Sequence, residues 1–147
     1  MSGIIVGVDG SDHSRLALAW AMREAVHHHV PLTVMTVRPA PVRPATEIFW
    51  GIHPSPENSQ DLEFAQKTLR QFVDSVANEI GETRPDITVS ATTGDVAEEL
   101  VRASRDADML VVGSRGSGGF ARLLMGSVSS QVTHHAECPV VVIPGSR

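Results

Sequence analysis

Two glycine–serine clusters lie close together near the C-terminal end of a 147-residue chain. The first, Gly113-Ser114-Arg115-Gly116-Ser117-Gly118-Gly119, follows the apolar run Val111-Val112; the second, Gly126-Ser127-Val128-Ser129-Ser130, reads as the opening of a helix. Glycines at a strand end allow positive φ and close approach of a ligand to the backbone. Successive amide N–H groups can then converge on an anion. A helix starting at Gly126-Ser127 adds N–H groups without intrahelical acceptors, together with the positive end of its dipole. The hydroxyls of Ser127, Ser129 and Ser130 would supply further donors. One cradle at each end of a single loop suits a polyphosphate better than a lone anion. No Lys-Ser or Lys-Thr pair follows a loop glycine, so this is not a Walker A motif, and a dinucleotide fingerprint belongs at the first strand. On residue chemistry alone, a phosphate cradle and a plain glycine-rich connection both stay open.

The remaining reactive side chains favour ordinary roles. His27-His28-His29 and His134-His135 fall at expected helix ends, where imidazolium complements the dipole. Consecutive helical residues diverge by about 100°, so the three cannot converge on one metal. Cys138, the only cysteine, precedes Pro139 and the apolar run Val140–Ile143, which suits a core thiol, and Trp20 suits a helix core. No Ser-His-Asp or Cys-His set can be picked out by spacing, so no catalytic residue is assigned.

These residues need a scaffold, and the chain alternates strand-like with helix-like segments. Strands are expected at Ile4–Val8, Leu32–Val37, Ile87–Ala91, Met109–Val112 and Val140–Ile143. Helices are expected from about Ser14 to His28 with Ser11 or Asp12 as cap, over 62–80, after Asp95 with Glu98 as a capping box, and from Ser127 to Ala136. This alternation predicts a single α/β domain over residues 1–147. It is an open five-stranded parallel sheet of order 3-2-1-4-5 with helices on both faces, a Rossmann-like architecture. The direction of winding reverses between strands 1 and 4, and a crevice opens there at the C-terminal strand ends. Asp9 and Gly113 would line it. The proline-rich stretch 38–56 is too long for an ordinary connection. It reads either as a flap beside strand 2 or as an irregular surface loop.

The spacing Gly113-x2-Gly116-x9-Gly126-Ser127 resembles the nucleotide-binding signature of the universal stress protein family. The likeness extends through Ile4-Ile5-Val6-Gly7-Val8-Asp9-Gly10-Ser11, Thr93-Gly94-Asp95-Val96-Ala97, Asp108 to Gly116, and Cys138 to Pro144. Every glycine of the signature is present, as in the branch of the family that binds ATP. The resemblance implies a fold like that of the adenine nucleotide alpha hydrolases. It also implies that Asp9 lies near base or ribose, that Val37 meets adenine through its backbone, and that Val112 and Gly113 flank the nucleotide. Gly116 would begin the phosphate cradle, and Gly126, Ser127, Val128 and Ser129 would complete it. Gly94 matches a structural turn glycine. Arg115 and Arg122 flank the loop and can offset phosphate charge. Mg²⁺ or Mn²⁺ can bridge phosphates with one carboxylate, for which Asp9 is the candidate.

A formal charge of -5 gives no basic face for nucleic acid or an anionic membrane, and no apolar run approaches a membrane span. With one cysteine and no charged leader after Met1, a cytoplasmic protein is expected. The apolar strand 139–143 would be a hazardous sheet edge unless covered, and pairing with a second copy would give a homodimer, as the resemblance also implies. Three functions compete: an ATP-binding stress-response regulator, a slow ATPase or phosphotransferase, and a dimeric interaction module without nucleotide. The intact glycines favour the first. The lack of a P-loop lysine or a positioned base weakens the second.

Overall fold

The computed structural model describes residues 3–39, 59–81, 83–114 and 126–145. Its elements are β1 (Ile4–Gly7), α1 (Asp12–His28), β2 (Leu32–Arg38), α2 (Ser59–Ile80), β3 (Ile87–Thr93), α3 (Val96–Ser104), β4 (Met109–Gly113), α4 (Ser127–His135) and β5 (Val140–Ile143). All neighbouring strands pair in parallel, in the order β3-β2-β1-β4-β5. The two most continuous apolar runs, β1 and β4, lie side by side at the centre, as their composition predicts for strands covered on both faces. No helix among the described residues is long and apolar enough to cross a membrane.

Side chains alternate across each strand, and this divides the core in two. On one face Val6, Val34 and Val111 pack with Leu18 of α1 and Leu69 and Val76 of α2. On the other, Met35, Leu110 and Val112 pack with Ala97 and Leu100 of α3 and Val132 of α4. Each buried Val or Leu contributes roughly 1.5–3 kcal/mol relative to exposure. Arg15 of α1 fastens α2 from outside. Its guanidinium reaches Glu79 Oε1 at 2.6 Å and Ser75 Oγ at 2.7 Å, and lies 5.6 Å from the centre of the Phe72 ring. The hydrogen bond from Arg15 holds the Glu79 carboxyl below its ordinary range, so this link is present above the usual carboxylate range and fades as pH falls through the lowered value.

Several boundaries differ from the sequence reading. β3 runs two residues further, to Thr93, and all seven of its residues pair with β2. It is an edge strand, where threonine is at home, so its polar content does not shorten it. It ends at Gly94, whose φ of 148° is open to glycine, and the Gly94 amide donates to Arg38 O at 2.9 Å. α2 begins at Ser59, ahead of its apolar stripe. Of the expected loop 38–56, only Arg38 and Pro39 fall within the described residues. Trp20 packs against the first core cluster while keeping part of its surface. Cys138 is half-buried rather than sealed, and burial, followed by the nearby Asp108 charge, pushes its thiol up from the ordinary value.

The histidine tract resolves into separate jobs. His28 contacts Glu24 at 3.0 Å one turn back, whereas His29 leaves the helix as its cap. His29 adopts φ 57°, ψ 43°, which lets its amide and that of Val30 reach Val26 O and Ala25 O. A side chain in this left-handed region costs about 1–2 kcal/mol, part of which glycine returns as entropy of the unfolded chain. His29→Gly should therefore raise stability by roughly 0.5–1 kcal/mol. Urea denaturation would show this as a higher midpoint with an unchanged slope. A lower midpoint would mean that the imidazole contributes more than the backbone strain removes.

Candidate functional site

The N-termini of α1, α3 and α4 are not equivalent. At α1, Ser11 accepts the Ser14 amide at 3.2 Å and Asp12 lies in the first turn. At α3, the Asp95 carboxylate accepts the Glu98 amide at 2.9 Å, with Glu98 and Glu99 following. Only half of the expected capping box forms there, because Glu98 turns to Arg102 at 3.4 Å. α4 is different. Its cap is Gly126, without a side-chain hydrogen bond, and its first turn has no acidic residue. The amides of Ser127, Val128 and Ser129 have no intrahelical acceptor, and the helix dipole there meets no carboxylate of its own turn. Of the three, α4 is the one electrostatically prepared for an external anion.

The start of α4 is tied to the end of β4 through one carbonyl. Ser114 O accepts the Gly126 amide and lies 3.1 Å from Ser129 Oγ, while the Ser114 amide donates to Ile143 O at 2.8 Å. Ser129 Oγ is also 3.1 Å from Gly126 O, and Ser129 is 2 % exposed. This corrects one expectation. The Ser129 hydroxyl does not point outward as a phosphate donor, because a hydroxyl has one proton and two backbone carbonyls compete for it here. Its amide, not its side chain, belongs to the anion-facing turn. The Ser127 hydroxyl is exposed.

Beside this turn lies a cavity of about 940 Å³ at the switch point between β1 and β4. It is bordered by Asp9 and Val37 beyond and within the ends of β1 and β2, by Val112 and Gly113 of β4, and by Gly126 through Ser129. The remaining residues named from the signature, Arg115 and Gly116, lie outside the described residues, as does Arg122. Asp9 Oδ1 accepts the Ser11 amide at 2.9 Å, which orients the carboxylate at the turn into α1. Gly7 forms part of the floor. A Cβ there would stand 3.0 Å from Leu100 Cδ2, so glycine lets α3 close on the sheet beneath the cavity.

Other wall residues escaped the sequence reading. Leu69 and Phe72 of α2 border the cavity, yet in the sequence they are simply part of the helical stripe that fills the core. Leu100 and Val96 of α3 do the same. Thr36 and Arg38 border it from β2, and only the alternation of that strand about Val37 could have pointed to them.

The family model described as the universal stress protein family matches residues 1–144. A universal stress protein of Mycolicibacterium smegmatis is 39% identical over 146 residues, covering 97% of this chain and 48% of the relative. One from Mycobacterium tuberculosis is 36% identical over 146 residues, with the same shares. The chain thus spans about half the length of the curated relatives it matches. Among solved structures, a universal stress protein UspA from Lactobacillus plantarum is similar with a TM-score of 0.74 and 25% identity, over 97% of both chains. A universal stress protein solved with cAMP gives 0.62 at 27% identity, covering 96% of this chain and 94% of that one. The Archaeoglobus fulgidus protein solved with dAMP gives 0.63 at 25%, over 96% of each.

The tie at Ser114 yields a stability test. Ser129→Ala removes one buried hydrogen bond and should cost about 1 kcal/mol in chemical denaturation. Ser127→Ala, at an exposed hydroxyl, should leave the midpoint within about 0.5 kcal/mol of the parent. Equal effects would show that the Ser129 hydroxyl does not hold α4 in place.

Proposed function

This chain belongs to the universal stress protein family, and from that premise we propose that it binds ATP at the C-terminal edge of its sheet as a nucleotide-dependent stress-response regulator. The observation that carries the reading is the bare N-terminus of α4 facing a cavity at the topological switch point. Related proteins of known structure hold cAMP and dAMP. In this reading the amides of Ser127, Val128 and Ser129 hold phosphate oxygens, and Gly113, Arg115 and Gly116 continue the cradle. Val37 meets the base through its backbone and Val112 flanks it. Asp9 stands beside the ribose. One carboxylate beside a phosphate cradle fits an Mg²⁺ or Mn²⁺ ion held mainly by phosphate oxygens and water, with Asp9 as its protein ligand.

The residues favour binding over turnover. No lysine lies between Gly113 and Ser127, and no histidine–carboxylate pair is aligned at the cavity among the described residues. Phosphoryl transfer depends on such groups, so slow hydrolysis is the alternative rather than the main activity. We place the protein in the cytoplasm and assemble it as a homodimer. β5 pairs only with β4 among the described strands, and its four half-buried apolar residues form an edge that a second copy's β5 can cover.

Titration calorimetry with ATP and magnesium should give one site per subunit. Gly126→Val should weaken binding by about tenfold or more, because bulk enters the phosphate turn while φ of -74° suits valine. No ATP binding by the parent protein overturns the proposal, and unchanged binding by the variant removes α4 from the site. Sedimentation of the same samples should show a dimer; a monomer at micromolar concentration overturns the assembly through β5.

A further inference from the structure

The cavity is bordered from both faces of the sheet at the strand ends. Val37 belongs to the core cluster on the α3 and α4 side, together with Met35, Leu100 and Val112. Alternation sends its neighbours Thr36 and Arg38 to the opposite face, where Leu69 and Phe72 of α2 supply an apolar wall. All of these residues border the same space. The bare α4 terminus borders it from one face, and Arg38 is the charged residue that borders it on the α2 side.

Arg38 is poorly committed within the chain. Its recorded contact is from Nη1 to the neutral carbonyl of Asp61, at a long 3.4 Å. Arg38 is exposed, and no ion pair involves it, Arg23 or Arg70 among the described residues. Arg15, Arg84, Arg102 and Arg105 have carboxylate partners within 4.0 Å. Of the unpaired three, Arg38 is the one that borders the cavity. Its backbone is fixed: Arg38 pairs with Thr93, and its carbonyl accepts the Gly94 amide at 2.9 Å. A guanidinium thus hangs from a rigid strand end beside a cavity, with most of its donors available to an incoming group.

Its position indicates which group. β1 and β2 pair in register through Gly7 and Met35, and Val8 donates to Met35 O at 2.9 Å, so the strand ends bearing Asp9 and Arg38 are adjacent. In nucleotide sites built on doubly wound sheets, an arginine near this strand end meets a phosphate on the ribose, as a carboxylate there meets the free hydroxyls. Resting on the nucleotide reading above, we infer that Arg38 selects adenine nucleotides bearing a second phosphate on the ribose 2′ or 3′ oxygen. The 5′ phosphate lies at α4, the ribose crosses the strand edge, and the second phosphate meets the guanidinium on the α2 side of the cavity, which Thr36 and Thr68 also border.

The test compares AMP, adenosine 3′,5′-bisphosphate and adenosine 2′,5′-bisphosphate by calorimetry on the full chain, with parent, Arg38→Met and Arg38→Gln proteins. The parent should bind one of the bisphosphates about tenfold or more tighter than AMP, the scale of a charge-assisted contact. Both substitutions should shrink that preference to about twofold or less, leave AMP affinity within about twofold, and flatten the salt dependence of bisphosphate binding. Equal affinity of the parent for AMP and both bisphosphates overturns the inference. So does a preference that survives in a folded Arg38→Met or Arg38→Gln protein. If the parent binds neither AMP nor ATP, the nucleotide reading itself fails, and the role of Arg38 with it.

Discussion

Ser114 O joins the sheet to the helix that faces the cavity. It accepts from the Gly126 amide and sits beside the Ser129 hydroxyl, while the Ser114 amide is held by Ile143 O in β5. Ser114 and Gly126 are far apart in sequence, and these contacts hold Gly126 at the strand end. A helix dipole falls off within one turn, so the α4 terminus can act on a ligand only where its first amides are held close to that ligand. Fixing α4 at the end of β4 sets that distance. The Thr133 hydroxyl donates to Ser129 O at 2.6 Å one turn further on, and Val132 is fully buried beneath, so the first two turns are held from both sides.

The starts of α1, α3 and α4 differ in what each leaves open to a ligand. α1 and α3 answer their own N–H groups with Ser11 and Asp95 and add carboxylates to the first turn. Each such cap contributes about 1 kcal/mol to its helix and uses up the site's appetite for a ligand. α4 forgoes this and starts with glycine. The stability it lacks from a cap is supplied by the Ser114 contacts, which bind the far side of the turn and leave the near side facing the cavity. At Ser129 the two roles fall on different atoms, the hydroxyl tying the turn to Ser114 O and the amide staying without an intrahelical acceptor.

Much of this was legible in the chain. Uninterrupted β-branched runs identify the central strands, and a regular alternation of strand and helix leaves few parallel topologies to choose from. The switch point then follows, and with it the convergence of Asp9, Val37, Val112, Gly113 and the Gly126–Ser129 turn on one cavity. What the pattern could not show has physical causes. Ser129 carries the same hydroxyl as Ser127, and only the fold decides which of them is turned inward to the backbone. Phe72 and Leu69 read as core because an apolar stripe has the same period whether it meets a sheet or walls a cavity. The strand expected at Ile87–Ala91 continues to Thr93, because backbone pairing with β2 runs through all seven residues.

Arg38 marks the limit of that legibility most clearly. As a residue it is an arginine after an apolar strand, the composition of any surface-exposed strand end. Its significance comes from two relations that sequence does not print: the parity of its position against Val37, and the presence of α2 over the face to which that parity sends it. A conservative change on the opposite face, at Val37, would leave the guanidinium where it is. A shift of β2 by one residue against β1 would exchange the faces of both, moving the cation to the face that α3 and α4 cover. The pairing of Ile4–Gly7 with Leu32–Met35 and the bond from the Val8 amide to Met35 O oppose that slip. The register of β2 against β1 therefore governs which side of the cavity carries Arg38, and the chemistry proposed for the site depends on a backbone ladder.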